Sequence, residues 1–292
     1  MTTLTRITCH AVHEMGPQAR QALARELYGV HSLIFDGLEF EGFCHYVIDR
    51  PSWRTWVWVK RDRHDRIVGY HATHAFLLDV QGQPSTVIRM EAGTLPSSRG
   101  RDLTMVYNCA RLFRLWLQAP RRRWCIFAAL THPSSYTFLS HYAPVIWPQP
   151  GTPTPPQVQR QMEELADQFG LERVDPDNPM VRRVDWITIE TAEERRRWQS
   201  SRRPNTRLYL RSNPGYVEGH GLVTLIPMDG PILLRALVRF VVGRAGRLTR
   251  ILFGTAPQPR WDDTTLPVQP PEAVHTRPRP LDARPDFQPS RH

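Results

Sequence analysis

The sequence predicts a mixed α/β (α+β) protein: a mostly antiparallel central sheet flanked by helices, a C-terminal helical extension and a disordered tail. Three observations predict it. Aromatic and β-branched runs separated by short polar turns fill the stretch from Trp53 to Leu95. From Met105 the apolar spacing changes from the strand period to the helical one. About half of the 27 prolines are gathered at Pro148–Pro156 and beyond Thr255, where they mark a hinge and a tail.

Residues 17–30 read as a helix. Pro17 suits a first turn, and Ala19, Leu23, Leu27 and Val30 fall on one face. Asp36–Tyr46 alternates acids with Phe and Leu and carries no clear period. Trp53–Val59, Ile67–Val80 and Thr86–Leu95 are strands. The polar turns Arg61–Asp65 and Gln81–Gln83 join them into an antiparallel meander. Met105, Cys109, Leu112 and Trp116, with Val106, Phe113 and Leu117 beside them, make an amphipathic helix with a wide apolar face. Arg121–Arg123 complements its C-terminal dipole. Trp124–Leu130 is an apolar strand, and Thr131–Ser135 opens a second helix with Ser or Thr as its cap and a first-turn proline. Gln157–Phe169 is helical, Val181–Ile189 is strand-like, 192–207 is an arginine-rich solvated helix, and Leu222–Pro227 is a short strand.

Hydrophobic residues make up 40% of the chain and charged residues 23%, enough for most of it to fold around a core. The formal net charge is +10, and all but one of the 38 basic residues are arginine, Lys60 being the exception. Such a surface favours anionic partners: phosphates, an acidic carrier protein, anionic lipid or nucleic acid. Cys9, Cys44, Cys109 and Cys125 lie far apart without CxxC spacing, which supports neither a disulfide framework nor a zinc site. His71 and His74 are three apart, so on a strand they face opposite ways and form no metal pair. No metal is expected. The absence of an apolar leader or a long apolar span leads to a cytoplasmic expectation.

The chemistry is concentrated in Val87–Thr104, where a strand ending in Leu95-Pro96 leads to Arg99-Gly100-Arg101-Asp102-Leu103-Thr104 and a helix. The ordered set of meander, strand, basic glycine loop, amphipathic helix, strand and capped helix resembles the GNAT superfamily of N-acyltransferases. It does so with Asp102 where that family usually has Gly, and Thr104 where it has Gly or Ala. The resemblance implies a GNAT-like sheet and transfer of an acyl group from a thioester to an amine. The donor would be acyl-CoA or the phosphopantetheine of an acyl carrier protein. Leu95, Arg99, Gly100, Arg101, Asp102, Leu103 and Thr104 would hold it. The physics is that of a helix N-terminus, whose unpaired N–H groups and positive dipole end accept an anion. The same residues also read as a solvated turn with Asp102 as N-cap. The departures at Asp102 and Thr104, with the basic surface, lean toward a carrier-protein donor.

On its strand Glu91 shares a face with Val87, Arg89 and Gly93. The resemblance implies a general base there; a salt bridge to Arg89 or Arg101 is the other reading. Tyr136 and Tyr142 are implied as proton donors to the leaving thiolate, Tyr142 in the better position, with core packing as the alternative. His132 is within reach of the same region. Residues 232–254 place five arginines in an apolar run without an acid, the pattern of a basic amphipathic helix for an anionic membrane surface, or of a docked helix with a basic outer face.

The sequence therefore divides into a GNAT-like acyltransferase core over 1–148, a continuation of the core or a small accessory region over 149–230, the basic helix over 231–254 and a proline-rich disordered tail over 255–292. The function expected is acyl transfer to an amine, in the cytoplasm with contact to a membrane surface. The alternatives are a GNAT-shaped binding or regulatory module without turnover and a basic nucleic-acid-binding protein. The last rests on charge alone.

Overall fold

The computed structural model describes residues 6–99 and 104–228, with isolated residues between 230 and 242. The elements in order are β1 (Arg6–Ala11), α1 (Pro17–His31), β2 (Phe35–Asp36), α2 (Phe40–Phe43) running into a π-helical turn at Cys44–Ile48, β3 (Arg54–Arg61), β4 (Ile67–Val80) and β5 (Gln83–Thr94). A 3-10 turn at Pro96–Ser98 follows. Next come α3 (Thr104–Gln118), β6 (Arg123–Leu130), α4 (Pro133–Tyr142), α5 (Pro156–Gln168), β7 (Arg173–Asp175), β8 (Asn178–Arg183), β9 (Ile187–Thr188), α6 (Ala192–Gln199), α7 (Pro204–Ser212) and β10 (His220–Met228).

The main sheet has the order β1-β3-β4-β5-β6-β10-β8-β7, and β2 pairs with β9 apart from it. Among the described strands, β5 and β6 make the one parallel pair; the other neighbours are antiparallel. A parallel pair needs a crossover, and α3 supplies it. The predicted fold class is the one found: an α/β protein with a mostly antiparallel sheet between helices.

Strand alternation sorts the core. Val57, Val59, Tyr70 and Ala72 meet α1, α2 and the π-helical turn on one face. Phe76, Val87, Phe127, Val223 and Leu225 meet α5 on the same face. Trp56, Ala75, Ile88 and Trp124 meet α3 on the other, where Leu222 and Ile226 meet α4 and α7. A buried polar tie fixes α3: Thr73 donates to Asn108 at 2.9 Å. Its apolar stripe includes Cys109, Leu112 and Leu115, whereas the predicted Leu117 is 56% exposed.

The structure corrects one expectation and assigns two stretches for which the sequence offered none. Arg6–Ala11 is an edge strand that local pattern did not show; it exists through its pairing with β3. The arginine-rich run 192–207 is two helices. Thr191 and Glu194 form a capping box on α6, and Pro204 opens α7, whose Tyr209 is fully buried. Asp36–Tyr46 contributes β2, α2 and part of the π-helical turn. The segment 232–254 falls mostly, and the tail 255–292 entirely, outside the described residues.

Candidate active site

The site begins where two strands part. β5 and β6 pair only from Ser85↔Arg123 to Ile88↔Ile126. Beyond that point β5 stays with β4 as far as Thr94, and β6 stays with β10 as far as Leu130. A wedge opens between them, and Arg89 and Glu91 are the first residues past Ile88 on the α1/α5 face of β5.

Glu91 is held by three basic side chains. Its Oε2 lies 3.1 Å from His74 Nε2, and its Oε1 lies 3.9 Å from Arg50 and 3.8 Å from Arg89 Nε. Cross-strand register brings His74 of β4 opposite Arg89. Arg50 follows the π-helical turn, donates to the Tyr46 carbonyl at 3.3 Å and lies over the Tyr46 ring. Burial pushes the Glu91 carboxyl up, but His74, Arg50 and Arg89 outweigh it and hold the carboxyl at about 2. Burial, with Arg50 adding to it, pulls Arg89 down to about 10 despite Glu91. His74 is fully buried, and its Nδ1 meets Thr55 Oγ1 at 2.9 Å, which in turn meets Ser52 Oγ at 2.7 Å. A polar chain thus runs from Glu91 through the imidazole to Ser52. Gly93 lets the Phe35 ring approach the strand: a Cβ there would lie 2.6 Å from that ring, which would have to shift.

β5 ends beside the predicted donor loop. Leu95 is half-buried against the α1 cluster, and its N–H donates to the Val68 carbonyl at 2.9 Å. Arg99 turns back to donate to the Thr94 carbonyl at 3.2 Å. Burial lowers the Arg99 guanidinium, and the Glu194 carboxylate of α6 works against that. Thr104 is buried at the start of α3. Gly100, Arg101, Asp102 and Leu103 lie outside the described residues.

His132 occupies a second polar cluster. It, and not the expected Ser or Thr, caps α4: its Nδ1 accepts from the Ser134 N–H at 3.2 Å and lies 2.7 Å from Ser134 Oγ. With Nδ1 accepting, the ring proton belongs on Nε2, which faces Glu190 at 3.2 Å. Glu190 also accepts from Arg195 at 2.9 Å and from Tyr216 at 3.1 Å. Burial raises its carboxyl, and these hydrogen bonds bring it below the usual value. Tyr136 is fully buried in the α4/α7 cluster and donates its hydroxyl to the Pro148 carbonyl; burial raises that hydroxyl. Tyr142 is half-buried at the end of α4, with its ring 5.1 Å from Phe138 and 4.7 Å from His141.

The structure therefore gathers Glu91, which the sequence singled out, with Arg50, Arg89 and His74. Of these, Arg89 was legible as a same-face neighbour. Arg50 and His74 reach Glu91 only through tertiary register, and Glu190 carried no local signal. Among the described residues, no group of three or more His, Cys, Asp or Glu is arranged to hold a metal ion.

No family model and no curated protein matches the chain. Solved structures do. One is AtaTR bound with acetyl-CoA, at 11% identity over 46% of this chain and 82% of that one, with a TM-score of 0.30. Another is Arabidopsis thaliana NAA60 in complex with acetyl-CoA, at 12% identity over 47% and 84%, with a TM-score of 0.31. A third is the aminoglycoside acetyltransferase meta-AAC0020 from an uncultured soil metagenomic sample, in complex with sisomicin, at 11% identity over 47% and 86%, with a TM-score of 0.30. Likenesses this distant say nothing about activity. The strand order itself, in which a meander and a crossover helix precede a parallel strand that parts from its partner, is that of a mixed α/β protein with a mostly antiparallel sheet.

Proposed function

We propose that the chain is an acyltransferase that moves an acyl group from a thioester donor to an amine. The observation that carries this reading is Glu91 at the mouth of the β5/β6 wedge, on the strand that runs into the Arg99 loop and α3. The donor phosphate would be taken at the N-terminus of α3 and by Arg99 and Arg101, since a helix start supplies unpaired N–H groups and these side chains supply charge. The donor is acyl-CoA or a carrier-protein phosphopantetheine. Its thioester then reaches into the wedge.

Transfer forms a bond from the amine nitrogen to the acyl carbon and breaks the carbon–sulfur bond. The amine loses a proton and the departing thiolate gains one. Glu91, ionised at all ordinary pH values, accepts the hydrogen bond of the incoming amine. The amine's proton leaves by way of Glu91 to solvent, while His74, held by Thr55 and Ser52, fixes the carboxylate. Tyr142 supplies the thiolate's proton; Tyr136, enclosed in the core, is the weaker donor of the two. His132 positions α4 through its cap. The basic segment 232–254 brings the chain to anionic membranes, where a long acyl chain would be at hand.

Glu91→Gln tests the assignment. It keeps the shape and removes the charge, so turnover with acetyl-CoA and a panel of amines should fall about 10²–10⁴-fold, with donor binding retained. Turnover within a factor of about two of wild type makes Glu91 a structural ion-pair partner instead.

A further inference from the structure

The cluster around Glu91 holds more positive charge than it neutralises. Two guanidiniums, Arg50 and Arg89, face one carboxylate at 3.8–3.9 Å, too long for hydrogen bonds. Their side chains are only 6% and 7% exposed. Arg50 Nη2 and Arg89 Nη1 are both buried with no hydrogen-bond partner in the protein. His74 Nε2 and Glu91 Oε2 are close but not aligned, and are likewise unsatisfied. Buried cations are normally paired, because an unpaired one is costly. Here the guanidinium of Arg89 instead lies over the Phe169 ring, 4.7 Å from its centroid, and that of Arg50 over Tyr46 at 4.8 Å. These contacts orient the two forks without occupying their N–H groups.

We infer that Arg50 and Arg89 form a binding site for a carboxylate carried by the acceptor, so that the acceptor class is an amine bearing a carboxylate, as in an amino acid. The inference rests on the acyl-transfer reading for the acceptor's role, but the anion site stands on its own geometry. Two guanidiniums and the His74 imidazole face one carboxylate, so the cluster carries a positive surplus that a bound anion balances. A planar carboxylate also matches the fork of a guanidinium. The bound carboxylate would take up the free Nη donors, leaving the amine beside Glu91.

The experiment has two arms on the full chain. The first is calorimetric titration of wild type with benzoate, benzamide and inorganic phosphate, repeated on Arg50→Gln and on Arg50→Lys, with circular dichroism to confirm folding. Benzoate should bind and benzamide should not, and Arg50→Gln should weaken benzoate at least about 10-fold, with Arg50→Lys in between. The second arm follows thiol release from acetyl-CoA with free amino acids and with the matching amino-acid amides. The acids should be preferred about 100-fold or more, and Arg50→Gln should collapse that preference. Benzoate binding no tighter than benzamide, or unchanged in folded Arg50→Gln, overturns the carboxylate site whatever the turnover. Phosphate bound through Arg50 with no benzoate binding overturns the carboxylate assignment. Amides acylated as well as acids overturn the acceptor class while the acyl-transfer reading survives. Arg50-dependent benzoate binding with no thiol release in either panel supports the anion site and removes the acyl-transfer reading.

Discussion

At the scale of single residues, ionisable groups buried on one face of the sheet set how the protein responds to acid. His31 is 1% exposed among Tyr28, Phe35, Phe43, Tyr70 and Trp186, and its Nδ1 meets the Tyr70 hydroxyl at 2.9 Å. Burial lowers the imidazole from 6.5 to about 4. The folded protein keeps the ring neutral while the unfolded chain takes a proton below pH 6.5. This stability is therefore present above that value and is lost as pH falls toward 4, in total roughly 3 kcal/mol. Glu91 acts in a lower window: with its carboxyl moved from 4.5 to about 2, its contribution is lost as pH falls from 4.5 toward 2. Thermal melts from pH 7 to 4.5 should thus drop steeply in wild type and much less in His31→Gln. Parallel slopes for the two proteins would show that His31 does not control that window. The sequence pointed to Glu91 by its place on a strand face, but not to its low basicity. That comes from Arg50 and His74, which are remote in the chain.

At the scale of elements, local pattern was most legible where an element is long and its period clean. Ile67–Val80 matches β4 at both ends, α1 and α5 agree to within a residue at each end, and α4 starts within the stretch expected to open it. The arginine-rich stretch was misread because charge hides periodicity, although Pro204 marked the start of α7. The loop between β5 and α3 carries the donor prediction. Arg99 is tied to the Thr94 carbonyl and opposed by Glu194, so it is held at the end of β5. Replacing Arg99 and Arg101 together by Ala should weaken acetyl-CoA binding by about 1–3 kcal/mol, the cost of lost charge-assisted hydrogen bonds. Equal affinity in a folded double variant would remove the loop from the donor site.

At the scale of the whole molecule, the region after Pro148 is joined to the first half by hydrogen bonding across the sheet, since β10 pairs with β6 over seven residues. The net charge of +10 is a property of the whole surface, and the segment 232–254 concentrates part of it. Each basic residue near an anionic leaflet contributes about 1 kcal/mol, and apolar burial adds to that. Among the described residues no helix is long and apolar enough to cross a membrane. The full chain should therefore co-sediment with anionic but not neutral vesicles, in a salt-sensitive way. A truncation after Asp229 that stays folded should lose that binding. Equal sedimentation of both proteins would assign the segment to packing against the core.

Periodicity and turn chemistry are local, so the chain alone announced the meander, the crossover helix and the acid on its third strand. Whether β6 would stay beside β5 or leave it after Ile88 depends on register and twist across the sheet, which no local window contains. The same holds for the site's charge. Arg89 is two residues from Glu91 on the same strand, but Arg50 lies in the loop after the π-helical turn and His74 on β4, and only the folded sheet brings these two to the carboxylate, because Coulomb energies depend on distance in space and not along the chain.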